Sequence, residues 1–541
     1  MRTLLQTPLA LLAFVLIVVM PQARAEGEIR GNEQVASVIE QFITSGHANL
    51  SNEVDKKRLF QIFTFYHDRD FKPIWSRDSG PKTKAKVLLN ALKAAREHGL
   101  DPGKYAIPDL EMRFNSTNPE ELAEFDLLMS DVFADFGRDL SQGQVIPSNL
   151  DDTHIQPHGP GPLNLIDGAE AASHMGPYLD SLAPQTPQYA RLKDKLATYR
   201  AIAAMGGWPR IAPGPTIKPG MSDARIPALR RMLAITGDYP GNPDAPSDSY
   251  DPDLVAAVQS FQARHGLAVD GVVGPATHAA LDVPVEARIR QMEINMERRR
   301  WMPDDLGERY VFVNIADAFL KVVEDRGDRE KTILGARLVV GKPYTRTPVF
   351  SHEMSYVEIN PSWGVPASIA NNEFLPKLKE NPGALLAQNI RMFADQTEVD
   401  PWSVDWASVD RMPYQLRQDP GPTNALGRIK FMFPNKHAIY IHDTPSKSLF
   451  ERDSRFFSHG CMRVQDPQRL AEVLLGDQGW SIERIRAQID SGERRVVSLE
   501  TKIPVHITYL TAWVNKDGTV HFRNDVYDRD KRLAAAVFGD T

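Results

Sequence analysis

The chain of 541 residues contains a single cysteine. One thiol excludes an intramolecular disulfide framework and a Cys-rich metal cluster. Two roles are left for it: a buried, inert side chain, or a reactive group kept without competitors. Basic excess is also missing. Lys+Arg of 63 against Asp+Glu of 70 give a formal net charge of −7, so nothing demands a nucleic-acid or anionic-membrane partner. Past residue 20 no apolar run approaches the roughly 20 residues of a membrane span. With 42% hydrophobic and 25% charged residues, the composition is not that of disorder or of collagen. It can fill several cores, and at about 150 residues per domain the length suggests three or four.

The one apolar run, residues 9–20, follows Arg2 and precedes the small-x-small triplet Ala23-Arg24-Ala25. This pattern reads as a secretory signal over residues 1–25, cut before Glu26. With no cysteine at the cleavage point a lipid anchor is excluded, and membrane contact is expected only if the signal stays uncleaved. The remainder is then exported, into a compartment where stray thiols are usually oxidised or absent.

Residues 45–210 read as a helical scaffold. Apolar side chains at 59, 62, 63 and 66 share one helix face, and a second helix over 83–98 is closed by Gly99. This stretch shows no acid–base pair and no metal-ligand spacing. The linker Ala212-Pro213-Gly214-Pro215, with Lys218-Pro219-Gly220, introduces a small three-helix module over 217–283. In it Ile226, Leu229 and Leu233 share a face, as do Leu254, Val258 and Phe261. Asp270-Gly271 turns the chain, and Gly274-Pro275 opens a third helix ending at Leu281.

From residue 310 the texture is β. Short β-branched or aromatic segments lie at 310–313, 319–323, 338–340, 356–359, 429–433 and 439–441. A hairpin is expected from 505–514, the turn Asn515-Lys516-Asp517-Gly518, and 520–522, leaving 516–541 as a hairpin and tail. Residues 466–490 read as helical. Residues 371–417 read as a helix- and loop-rich insertion within a domain spanning 305–515. The predicted fold is multidomain α+β: helical scaffold, three-helix module, and a β-rich catalytic domain with a capping insertion.

The cysteine sits in Phe457-Ser458-His459-Gly460-Cys461-Met462-Arg463, and a predicted strand upstream delivers Tyr440-Ile441-His442. A thiol nucleophile needs a base, and an attacked amide carbonyl needs donors where its negative charge develops. His442, at a strand end, can be the base. Gly460 allows close backbone approach, so the N–H groups of Gly460 and Cys461 can point at an oxyanion. Arg463 is fixed in charge and can hold a carboxylate, on the substrate or inside the loop.

His442, a fifteen-residue spacer and Ser458-His459-Gly460-Cys461-Met462-Arg463 together resemble the signature of the L,D-transpeptidase catalytic domain, the YkuD type. The resemblance extends through Val340-Gly341-Lys342-Pro343-Tyr344-Thr345-Arg346-Thr347-Pro348-Val349-Phe350, Asn360-Pro361-Ser362-Trp363-Gly364-Val365-Pro366 and Gly421-Pro422-Thr423-Asn424-Ala425-Leu426-Gly427. Phe261-Gln262, Gly266-Leu267, Asp270-Gly271 and Gly274 likewise resemble a small peptidoglycan-binding domain. The layout is similar to the large Gram-negative periplasmic members of the family (the YcbB type).

The resemblance implies a peptidoglycan L,D-transpeptidase of the periplasm that uses no cofactor and no metal. Cys461 would attack the third residue, a diamino acid, of a tetrapeptide stem, release D-Ala, and pass the acyl group to an amine of a second stem. His442 would move the protons, the backbone carbonyl of Asp443 would orient its ring, and Tyr440 would donate to oxyanion or substrate. Ser458, His459 and Trp363 are placed with the substrate site, His459 as a residue that shapes the loop. Trp363, Tyr344, Trp402 and Trp406 either line the stem-peptide groove or pack, and His352, His506 and His521 read as structural. The insertion suggests a lid that excludes water from the thioester. Partners would be peptidoglycan stem peptides and other cell-wall synthesis proteins. The same acyl-enzyme resolved by water or another amine, or a non-catalytic wall-binding scaffold, are the alternatives. A papain-like protease is disfavoured, since the cysteine lacks that family's surroundings.

Overall fold

The computed structural model describes residues 33–45, 56–150, 153–156, 158–325, 327 and 330–539. The predicted signal, 1–25, lies outside them. The chain forms two compact units, Met1–Ala85 with Asp109–Met129, and Lys86–Pro108 with Ser130–Thr541.

In the first unit, α1 (Glu33–Ser45) buries Val35 and Ile39, and α2 (Lys56–His67) buries Arg58, Ile62, Phe65 and Tyr66. The apolar stripe of α2 is rotated from the expected one: Leu59 and Phe63 are half-buried, and Phe65 is inside. The rotation has a polar cause. Tyr66 turns inward to donate its hydroxyl to the buried Asp126 carboxylate at 2.6 Å. That carboxylate also accepts the backbone N–H groups of Ile74, Trp75 and Ser76.

In the second unit, α3 (Pro187–Ala204) precedes the small module of α4 (Ile226–Ile235), α5 (Pro252–His265) and α6 (Pro275–Leu281). Its core is built from the expected faces, with Ile226, Leu229, Leu233, Leu254, Val258 and Phe261 all buried. Buried Gln262 explains the Asp270-Gly271 motif. Its carbonyl accepts the N–H groups of Asp270 and Gly271, and its amide donates to Asp270 Oδ1 and the Val272 carbonyl. A long helix, α7 (Val285–Arg300), leads to the β domain.

The β domain contains β1 (Arg309–Asn314), β2 (Phe319–Glu324), β3 (Lys331–Gly341) and β4 (Phe350–Ile359). The insertion adds β5 (Trp363–Gly364), β6 (Ile390–Ala394), β7 (Thr397–Glu398) and β8 (Gln415–Gln418). Then follow β9 (Ile429–Met432), β10 (Ile441–His442), β11 (Phe456–Ser458), β12 (Met462–Val464) and β13 (Arg495–Thr508), with the hairpin β14 (Ala512–Val514) and β15 (Val520–Phe522). The main sheet runs β11-β3-β12-β10-β9-β4-β13-β1-β2. The first half of β3 also pairs with β2 and its end pairs with β12, which closes the sheet into a ring. Closure leaves few free edges, and the inward side chains form one apolar core.

Two expectations are corrected here. The insertion is not only helix and loop: β5-β8-β6-β7 form a four-stranded antiparallel sheet, so the folded cap runs from Trp363 to Gln418. It has its own core, with Ala370, Phe374, Leu378, Ile390, Met392 and Trp406 buried. At the C-terminal end, the strand expected through 505–514 breaks at 509–511. There side chains capture the backbone: Asn314 Oδ1 accepts Leu510 N–H and Asn295 Oδ1 accepts Thr511 N–H, each at 2.9 Å. Beyond the hairpin lies a helix, α8 (Arg529–Phe538), where a tail was expected. Asp525 starts it by accepting the N–H groups of Arg529, Asp530 and Lys531.

Candidate active site

Strand register gathers the predicted residues. In β10 and β12, which are parallel, Ile441 pairs with Met462 and His442 with Arg463. Side chains alternate across a strand, so Ile441 and Met462 enter the core while Tyr440, His442, Cys461 and Arg463 share the other face. The antiparallel neighbour β9 adds Lys430 opposite His442, and β4 adds Glu358 opposite Lys430. One row of polar side chains therefore crosses four strands. Lys430 and Glu358 were not singled out from the sequence, because only the register reveals them.

His442 is buried, and its Nδ1–H donates to the Asp443 carbonyl at 2.5 Å, as the resemblance implied. That bond leaves Nε2 as the unprotonated nitrogen. Burial, aided by the Arg463 charge, pushes the imidazole down to about 3, so His442 is neutral at pH 7. Asp443 is held in turn: its carboxylate accepts the N–H groups of Arg428 and Thr444 and pairs with Lys447. Gly427, at φ +62°, lies where a β-carbon would strike that carboxylate.

Cys461 is half-buried and its Sγ–H points to the Ala438 carbonyl at 3.6 Å. Burial pushes the thiol up. Opposing this are the Tyr440 backbone N–H and hydroxyl and the charges of Lys430 and Arg463, all of which favour the thiolate. Tyr440 thus lies beside the Cys461 sulfur. The Lys430 ammonium sits 4.1 Å from the Tyr440 ring centroid. Ala438 adopts φ +53°, an unusual conformation for alanine, held by Asn435, whose Oδ1 accepts His437 and Ile439 N–H.

The loop before Cys461 is bracketed from β3 and the turn after it. Thr345 Oγ1 donates to the Ser458 carbonyl at 2.9 Å, and Thr347 Oγ1 donates to the Gly460 carbonyl at 2.7 Å. Ser458 Oγ donates to the Cys461 carbonyl at 2.6 Å and accepts Gly460 N–H at 3.1 Å. The latter bond corrects one expectation: the Gly460 amide is occupied inside the loop. Gly460 is still required, since its φ of +116° is one that other residues rarely adopt.

Arg463 forms no ion pair among the described residues, and its buried Nε has no hydrogen-bond partner there. His459 points away from the cluster to Glu373 of the insertion, Nε2 to Oε1 2.5 Å. Trp363 lies on β5 at the base of the cap, half-buried against the cap core. Trp406 is buried in that core and donates to the Pro401 carbonyl, while Trp402 and Tyr344 are exposed. His506 bonds Ser351 Oγ and the Leu306 carbonyl, a structural role as expected. Among the described residues no group of three His, Cys, Asp or Glu side chains could hold a metal ion.

Comparison with known proteins bears on the whole layout. The L,D-transpeptidase catalytic domain family, YkuD, matches residues 308–505. A "Putative peptidoglycan binding domain" matches 222–281, and a scaffold domain matches 61–196. A protein of Haemophilus influenzae named "Putative L,D-transpeptidase" is 37% identical over 254 residues, 46% of this chain and 50% of that one. The chain thus spans half the length of this curated relative. A solved structure of a fused Zn-dependent amidase/peptidase/peptidoglycan-binding domain-containing protein from Clostridium acetobutylicum covers 55% of this chain and all of its own. At 12% identity and a TM-score of 0.15, that likeness carries no argument. The matched span 308–505 holds every residue of the polar row and the thiol beside it, and the chain therefore carries an L,D-transpeptidase catalytic domain of the YkuD family together with a peptidoglycan-binding domain.

Proposed function

We propose that the chain is a cysteine-dependent peptidoglycan L,D-transpeptidase acting in the periplasm after export through its N-terminal signal. The observation that carries the reading is the grouping of Cys461, His442 and Tyr440 on one face of the sheet, with a neutral imidazole whose Nδ1–H is held by the Asp443 carbonyl and with Tyr440 groups that favour the thiolate.

His442 Nε2 takes the Cys461 proton as the sulfur attacks the carbonyl carbon of the third stem residue, a diamino acid. The Cys461 amide faces the developing oxyanion. The amide bond to the terminal D-Ala then breaks, its nitrogen takes the proton from His442, and a thioester remains on Cys461. An amine of a second stem loses a proton to His442 and attacks the thioester. The new amide is a 3-3 cross-link, and the sulfur recovers its proton. No ATP is consumed, because the energy of the cleaved amide passes through the thioester. Arg463, a cation without a carboxylate partner among the described residues, suits the carboxylate of the stem peptide. The folded cap suits a lid that keeps water from the thioester.

The test is incubation of the purified protein with a disaccharide-tetrapeptide, followed by mass spectrometry of protein and products. The expected result is an acyl adduct on the Cys461 peptide and a cross-linked dimer, both lost in Cys461→Ala. D-Ala release without dimer would replace cross-linking by hydrolysis or exchange. Cross-linking by folded Cys461→Ala protein would refute the catalytic role of the thiol.

A further inference from the structure

The nucleophile loop is held on one side by Thr345 and Thr347 of its own domain and touched on another by the cap. The second contact joins His459, two residues before Cys461, to the carboxylate of Glu373. Glu373 lies in a π-helical turn, Ala370–Phe374, a wide turn that recurs at functional sites. The turn is anchored inside the cap: Ala370 and Phe374 are buried in its core, and Asn371 Oδ1 accepts Met412 N–H at 2.8 Å. Glu373 is turned outward from that anchored turn to reach His459.

The cap joins the domain through two strands whose base is locked by a buried amide network. Asn424 Nδ2 donates to the carbonyls of Pro361, Gln418 and Asp419, and Gln418 Oε1 accepts Ala425 N–H. This network fixes the base of the cap. The Glu373–His459 pair lies outside it and is half-exposed, at 41% and 36% side-chain exposure. It can therefore open without cost to either core.

We propose that Glu373 is a positioning residue: its carboxylate clasps His459 and so couples closure of the cap to the arrangement of the Cys461 loop. The inference needs Cys461 to be accessible from beneath the cap, and does not depend on which amine or water resolves an acyl-enzyme. Breaking a half-exposed pair shifts the closed-to-open balance by a small factor, about 1.5- to 5-fold.

Because Cys461 is the only thiol in the chain, alkylation reads this balance without any turnover assay. In the full-length protein, Glu373→Gln is expected to speed alkylation by a bulky polymer-linked maleimide about 1.5- to 5-fold, and by iodoacetamide less. His459→Gln should give the same rise, and the double variant no further one. Equal rates in wild type and Glu373→Gln with both reagents, or fully additive effects in the double variant, would overturn the clasp. Failure of the transpeptidase assay with these alkylation results intact would overturn only the proposed reaction.

Discussion

Replacing Tyr440 by phenylalanine removes one hydroxyl from the nucleophile and leaves its backbone donor in place. The hydroxyl and the backbone N–H of Tyr440 both favour the Cys461 thiolate against burial. A hydrogen bond to a charged group contributes about 1.5–3 kcal/mol. At 1.36 kcal/mol per factor of ten, its loss lowers the thiolate fraction at neutral pH by about 10- to 150-fold. A thiolate relieved of a donor is also a better nucleophile, and a Brønsted slope of about 0.4–0.5 returns nearly half of that effect on a logarithmic scale. The net expectation at pH 7 is alkylation of Tyr440→Phe slowed about 4- to 15-fold.

The sign should then reverse. At a pH high enough to ionise both proteins, only the nucleophilicity difference remains, and the variant should react about 3- to 10-fold faster. The two pH–rate profiles therefore cross, and because burial holds the thiol high, both climb past the ordinary thiol range near 8.5 before levelling. The assay is iodoacetamide alkylation across pH, read on the sole cysteine by intact mass. A parallel drop at every pH would mean a change in access alone, and coincident profiles would remove the hydroxyl from the sulfur. Either refutes the argument.

Three further outcomes are expected. Carbapenem-type β-lactams should acylate the Cys461 peptide, since a strained amide mimics the acyl donor; absence of the adduct mass with active protein would count against thiol attack. Gly427→Ala, at φ +62° and facing the Asp443 carboxyl, should destabilise the protein by about 2 kcal/mol. It should also slow acyl-enzyme formation by displacing the residue whose carbonyl orients His442, measured by thermal midpoint and single-turnover rate. His442 is held at about 3, below its ordinary 6.5, so folding excludes its proton. The folded state should lose stability as pH falls from 6.5 toward 3, by about 2 kcal/mol at pH 5. His442→Gln should flatten this slope in denaturant titrations at pH 7.5 and 5; an unchanged slope would show that His442 does not carry it.

Much of this was legible because local signals and tertiary structure agree. Capping and turn residues set the three-helix module, whose third helix ends at Leu281 as expected. The Ser458–Arg463 loop was legible because Gly460, at φ +116°, holds a conformation few other residues adopt and Cys461 is the one thiol of the chain. What escaped notice depends on register. Lys430 joins the site only because β9 pairs Lys430 with His442, and nothing near residue 430 marks that partner. The cap's sheet escaped because its strands are two to five residues long, with too few alternations to show a period of two. The occupied Gly460 amide escaped because Ser458 Oγ lies two residues away in a loop whose geometry no periodicity describes.

The resting chemistry of the site suits a lone thiol to the proposed reaction. His442 is pushed down to about 3 and burial pushes Cys461 up, so the pair rests as imidazole and thiol, not as an imidazolium–thiolate pair. Oxidants attack thiolates, and a protonated, half-buried sulfur offers them little. The donors that would stabilise the anion, from Tyr440, Lys430 and Arg463, are nonetheless already built. In the proposed reaction, activation then requires only that the proton cross to Nε2 as the sulfur meets a carbonyl, which a bound acyl donor supplies and solvent does not. Holding the nucleophile unionised until that moment costs ground-state reactivity, and the fixed donors recover it in the transition state.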